Sequence, residues 1–516
     1  MSGDAYVTNL QPPTGGLNFQ QPAISLDERN ALVLDNLLPK GNYVELREGY
    51  THHCESIPGR VISIASYVGK TPSDSRVFAF NNNGEVYDVT NRSKQPARVM
   101  RTDQKDGIWE SVNTAGIDEN YLILVSPAGG YWTYSTRDGF KNRAITGAGK
   151  DKRFATVFNW KDRAWLIEDG SSRCYYLGVG AIQGDAAEYN FYAVINRGGD
   201  LLYGCNWTFN AGYDIDDYLV LVTSQGEVLI YKGTDPDAAE TFALEGVWYV
   251  GETPAGRRSF TNFGGEMFIT TSLGIVPISK LVNGRVANDY QTASAAIQPV
   301  LIDHFNASKT EFGWELEMIY NQQFLLVKTP EDQSGKHNYY VMNVTTGAWA
   351  TISNMPMLCI TQIGSAIYFG TANGLVCQGF TGDTDGEDLS KNAGSSIVGR
   401  YLSGYNDYGS PANLKTFQLA KPIFVSYDAP TIGVKIFTRY EDMFPLVESG
   451  LRRPSAAIWN KDRWNQSYFG GGNSTFTPWF GVEGLGYYGA LALTVTGKGK
   501  TQYITTTLTM KKGGVM

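Results

Sequence analysis

One pattern limits what this chain can fold into more than any other. An apolar alternating strand, a turn rich in Gly, Asn or Ser, and a second alternating strand recur along the middle of the sequence. The first copy is Val-Phe-Ala-Phe at 77–80, the turn Asn81-Asn82-Asn83-Gly84, and Glu-Val-Tyr-Asp-Val at 85–89. Further copies pair 122–125 with 131–134, 164–167 with 174–177, 219–222 with 228–231, 267–270 with 275–278, 324–327 with 339–342 and 366–369 with 375–377. Period-two alternation sets one side of each strand against a core, and Gly or Asn supplies the backbone that a tight hairpin turn needs. The turns recur at roughly 48 residues, close to the length of a four-stranded propeller blade. Strand-like runs ahead of several hairpins, at 61–65, 154–158 and 358–361, add an inner strand to the same sheet. The fold predicted is all-β, with a β-propeller of about seven blades over 51–382. Two stacked sandwiches would hold the same strands but explain their even spacing less well.

Composition agrees with that reading: 58 Gly, 31 Tyr and 24 Phe stand against only 18% charged residues. Aromatic side chains suit a pleated, half-buried surface and Gly suits the turns. One stretch departs from the strand pattern. Residues 292–305 carry Ala, Ile and Leu at helical spacing, with Pro299 tolerable only in a first turn. A helical insertion near 288–312, between the fifth and sixth blades, is expected. Residues 1–50 read as an extended N-terminal arm and docking strand, 383–396 as an acidic Gly-rich linker, and 397–516 as a separate C-terminal β-sandwich.

The chemistry-bearing residues are sparse. The five cysteines (Cys54, Cys174, Cys205, Cys359, Cys377) are odd in number and lack CxxC spacing, as expected of reduced core or strand residues in a cytoplasmically folded chain. The four histidines leave little room for a zinc site or a His-based catalytic apparatus. No basic and apolar leader opens the sequence, and no apolar run is long enough to span a bilayer. The net charge of −8 and pI near 5.3 give no basic footprint for gripping nucleic acid, and Arg257-Arg258, Arg452-Arg453 and Lys511-Lys512 are most simply solvated surface. Phosphate-loop, nucleophile-elbow and sialidase-type boxes are absent, and the Asp/Gly run at 382–388 lacks the ligand spacing of a calcium loop. The chain therefore reads as a non-enzyme with neither cofactor nor metal. Trp459, Trp464 and Trp479 offer a sugar platform or a partner interface, with core anchoring of the sandwich as the simpler reading.

A resemblance adds to this. Gly15-Gly16-Leu17-Asn18-Phe19, the apolar step Leu34-Asp35-Asn36-Leu37-Leu38-Pro39, and Val44-Glu45-Leu46-Arg47-Glu48-Gly49-Tyr50 are similar to the opening of β-propeller tail nozzle proteins of short-tailed bacteriophages. The passages at 172–176 and 219–231, 457–464 with 482–486, and the ending Gly513-Gly514-Val515-Met516 also resemble that family. The resemblance runs nearly the whole chain, and its motifs are structural rather than catalytic.

It implies a virion protein, assembled in the host cytoplasm, forming a ring of six copies below the head-to-tail adaptor. There it would continue the channel through which double-stranded DNA leaves, without sequence-specific binding, and would help retain packaged DNA. Tail fibres or the tail tip are further partners. Six copies would sum to roughly −48, acidic walls along which a polyanion slides. A ring needs head-to-tail contacts between copies, and Leu17, Phe19, Leu32, Leu34 and Leu37 of the arm, with Trp459, Trp464 and Trp479, are the candidate interface residues. Two other readings compete: a propeller module that binds host glycan, and a glycoside-acting enzyme, which would need convergent carboxylates at the blade centres.

Overall fold

The computed structural model describes residues 5–103, 105–116, 118–149, 151–210, 215–238, 240–282, 292–439, 444, 474–497 and 499–515. The chain is all-β, 53% strand and 4% helix, and its middle is a propeller-like ring. Six blades each form from one contiguous stretch. Blade one spans 61–101, blade two 110–142, blade three 154–190, blade four 201–249, the three-stranded blade five 260–277, and blade six 315–352. Every strand pair within them is antiparallel, and the hairpins read from the sequence are their middle strands. A composite sheet fills the gap between blades six and one. Its strands Cys359–Ile363, Ala366–Gly370 and Val376–Gly379 are completed by Tyr50–Cys54 from the start of the chain.

Radial repetition works here because each sheet buries both faces against its neighbours. Leu219 and Leu221 pack toward blade three with Trp165 and Phe158, while Val220 and Val222, one residue on, pack toward blade five with Met267 and Ile269. This alternation of faces explains why the middle strands are apolar at every position rather than at every second one. The five cysteines are buried free thiols, all within strands of the ring. Helix Gln298–Ser308 lies between blades five and six, as the sequence predicts, and Pro299 occupies its first turn. Its buried Leu301 and Phe305 join the core of blade six.

The ends differ from expectation in two respects. The N-terminal strands are β1 (Ala5–Leu10), β2 (Gly16–Leu17), β3 (Asn30–Asp35), β4 (Leu37–Pro39), β5 (Val44–Leu46) and β6 (Tyr50–Cys54). The C-terminal ones are β7 (Val398–Ser403), β8 (Asn413–Ser426), β9 (Thr431–Phe437), β10 (Ser474–Phe476), β11 (Phe480–Gly486), β12 (Ala490–Thr496) and β13 (Thr501–Val515). One sandwich sheet runs β3-β7-β12-β9 and is joined through β3 and β2 to the last strand of blade six; the other runs β4-β5-β13-β8-β10, with β1 also on β13 and β11 on β8.

The sandwich is thus not 397–516 alone: the arm supplies four of its strands. Nor is 383–396 a free linker, because Thr384–Glu387 runs parallel to β6 and pairs with Ser395–Ser396. Both corrections have one cause. β1, β3, β5 and Thr384–Glu387 each take a partner hundreds of residues away, which no local hairpin signal marks.

Candidate functional site

Two buried polar constellations organise the molecule, one on the propeller axis and one where propeller meets sandwich. On the axis, the first strand of a blade carries an amide that reaches back to the blade before it. Asn113 Nδ2 donates to the Ser66 carbonyl at 2.7 Å, Asn159 Nδ2 to Asn113 at 2.7 Å, Asn262 Nδ2 to Asn206 at 3.2 Å, and Gln362 Nε2 to Met318 at 2.5 Å. Inner strands of adjacent blades diverge, so their backbone groups cannot pair directly along their length. A side-chain amide bridges the gap and satisfies a carbonyl that burial would otherwise strand. A polar residue recurring at the blade period (Asn113, Asn159, Asn206) was the sequence signal for this belt.

At one end of the axis Arg258, just ahead of blade five, crosses the ring. Its Nε donates to Glu110 Oε1 of blade two at 3.0 Å, and its Nη2 to Ser63 Oγ of blade one at 2.7 Å and to the Trp109 carbonyl at 2.8 Å. Burial works against the charge, but Glu110 and Glu315 outweigh it and hold the guanidinium above the ordinary arginine range. Its neighbour Arg257 pairs with Asp169 of blade three at 2.6 Å. Reading this pair as plain solvated surface was wrong for Arg258: the forked guanidinium is the one cationic head that can bond several blades at once.

Carboxylates do converge here, each already engaged. Glu315 pairs with Lys328 at 2.7 Å, both almost fully buried. Glu317 accepts from Gln362 Nε2 at 2.8 Å. Burial raises the Glu317 carboxyl from its ordinary 4.5 to about 7, with the Gln362 hydrogen bond opposing and Glu315 adding. Chemically the cluster stores charge in pairs and ties blades together.

The second constellation centres on Arg47, which is fully buried. Its guanidinium grips Asp385 with both branches, at 2.8 and 2.6 Å, donates Nε to Asn36 Oδ1 at 2.7 Å, and reaches the carbonyls of Ser353 at 2.7 Å and Glu48 at 3.0 Å. All five donors of the fork have partners. Asn36 in turn donates to the Val398 carbonyl and to Ser353 Oγ, and Asp35 accepts from Ser353 Oγ at 2.7 Å.

One network therefore ties the arm, the blade-six exit, the 383–396 segment and the sandwich. Two glycines make it possible. A Cβ on Gly49 would sit 2.0 Å from the Thr384 carbonyl oxygen, and one on Gly16, whose φ is +74°, would sit 2.5 Å from the Trp349 backbone.

The candidate interface residues separate. Leu17, Leu34 and Leu37 are buried in this chain's own core, so their apolar surface is already spent within the chain; Leu32 and Phe19 are half-buried and pack against cores. Their burial follows from β2 and β3 being interior strands, not an arm. Trp479 is exposed, beside Lys421, whose Nζ stands 5.4 Å over its ring, so core anchoring does not hold for it. Trp459 and Trp464 lie outside the described residues. Sequence reasoning also missed a charge asymmetry. Residues 397–516 hold 13 Lys and Arg against 7 Asp and Glu, a net +6, which leaves −14 for residues 1–396. Counting charge by module rather than over the whole chain would have found it.

No family model matches this chain, and no curated protein does. Among solved structures, the computationally designed Ika8 protein aligns with a TM-score of 0.35 at 8% identity, covering 64% of this chain and 99% of that one. So distant a likeness carries no argument. No described helix is long and apolar enough to cross a membrane.

Proposed function

We propose that this chain is a structural tail protein of a short-tailed bacteriophage, the nozzle. In this reading six copies form a ring below the head-to-tail adaptor, continue the channel for double-stranded DNA and help retain the packaged genome. The observation that carries the reading is where the family-like motif residues lie. Gly16, Asp35, Asn36, Arg47 and Gly49 are spent on a buried junction that fixes propeller to sandwich. That is a mechanical use of sequence. A subunit bearing internal pressure needs its two modules to move as one body, and a fully satisfied buried fork opposes hinging.

Arg258 crossing the propeller axis fits the same reading. With the axis stapled, DNA passes through the opening enclosed by the ring of copies, not through the propeller of one copy. Mass spectrometry of purified virions, paired with imaging of the tail, tests this. The expected result is the chain in stoichiometric amount within a ring at the tail; its absence from virions would end the proposal. A host-glycan-binding module is the second reading, favoured by the exposed Trp479 ring. Saturable glycan binding lost in Trp479→Ala would support it.

A further inference from the structure

Among the described residues nothing covers the outer face of the sandwich sheet β1-β13-β8-β11, and its composition is unusual. Register places Val7 opposite Thr509, Thr509 opposite Leu419 and Leu419 opposite Gly481; one step along, Lys511 lies opposite Thr416 and Thr416 opposite Leu485. Directly opposed residues share a face, so these rows form one surface, to which Lys421, opposite Thr507, also belongs. Phe417, Ala420, Leu508 and Met510, between them in sequence, point the other way into the core. On the outer surface Val7 is 57% exposed, Leu419 42%, Trp479 52% and Leu485 61%. Several large apolar side chains exposed on the outside of one sheet mark a binding surface.

The charges on that face are equally distinctive. Many propeller cations are paired at home: Arg143 with Asp138 at 2.7 Å, Lys152 with Glu168 at 2.6 Å, Lys161 with Asp217 at 3.0 Å. Lys421 and Lys511 have no carboxylate within ion-pairing distance among the described residues. The sandwich is thus a net cation with open lysines beside apolar side chains, and the propeller side carries the excess of acid.

The geometry points to this face as the docking surface for the acidic propeller side of a second copy of this chain. The contact is heterologous, sandwich onto propeller, the kind that closes into rings. It deepens the proposed function and rests on that reading only for ring closure. A phosphodiester backbone would use the lysines but leave Val7, Leu419, Trp479 and Leu485 in water, whereas a protein interface uses both.

Sedimentation of the purified full chain at micromolar concentration, at low and high salt, tests the inference. The wild type is expected to associate, and association should weaken as salt rises. K421E with K511E, and separately Leu485→Ser, should each weaken it about tenfold or more while the thermal transition stays put, as expected for a central interface contact. If the wild type forms rings that neither variant disturbs, the face is wrong and the ring reading stands. If the variants abolish a simple dimer, the face stands and the ring reading fails. If the wild type is monomeric, the inference is overturned. In that case duplex DNA binding lost in K421E/K511E would reassign the lysines to phosphate.

Discussion

At the residue scale, the buried charges make the sharpest demands. Arg258→Met removes the staple and leaves Glu110 facing the axis without its cation. Breaking one partner of a largely buried pair costs about 3 kcal/mol or more, read as a lower urea midpoint at unchanged slope. Arg47→Lys is not a conservative change, because a point charge cannot reproduce five donors in a plane. Glu317 makes stability depend on pH. Between its ordinary 4.5 and about 7 its carboxyl is protonated in the folded chain and ionised in the unfolded chain. The native state binds more protons in that window, so stability falls as pH rises through it and levels off above. Glu317→Gln keeps the acceptor for Gln362 and should flatten that slope in urea melts at pH 5 and 7.5. An unchanged slope would show that the carboxyl is ionised throughout.

At the scale of elements, the hairpins were legible because their partners are near in sequence. Turn residues and alternating strands sit within a dozen positions of one another, and 77–89 or 219–231 can be read without a structure. The same local logic failed for β2, β3 and Thr384–Glu387, which pair with strands far along the chain, partly in parallel. It also failed for Arg258, since nothing around Arg257-Arg258 distinguishes a buried fork from surface charge. Deleting residues 1–40 should therefore unfold the sandwich rather than only weaken assembly. Without β3 and β4, strand β7 and blade six lose their shared neighbour, and calorimetry should record the loss of a cooperative unit. Gly49→Ala tests the same seam more finely. Its Cβ would meet the Thr384 carbonyl oxygen at 2.0 Å, so backbone must shift, at a cost of about 2 kcal/mol or more.

At the scale of the whole molecule, the chain is a stapled ring fused to a sandwich through one buried network, with its charge segregated between the two. Such a body is suited to stacking and side-by-side contact, and its association should depend on salt. One feature of the topology bears on how it is made. Strand β1 pairs with β13, Ala5 against Lys511, and Tyr50–Cys54 closes the propeller against Val376–Gly379. A nascent chain emerging from the ribosome can stack its blades in order, yet β1 stays unmatched, and β5 is paired on the β4 edge alone, until 501–515 has been synthesised. Pairings so distant are slow to form. Prematurely terminated chains would lack a finished outer sheet, and with it the surface proposed above for contact between copies.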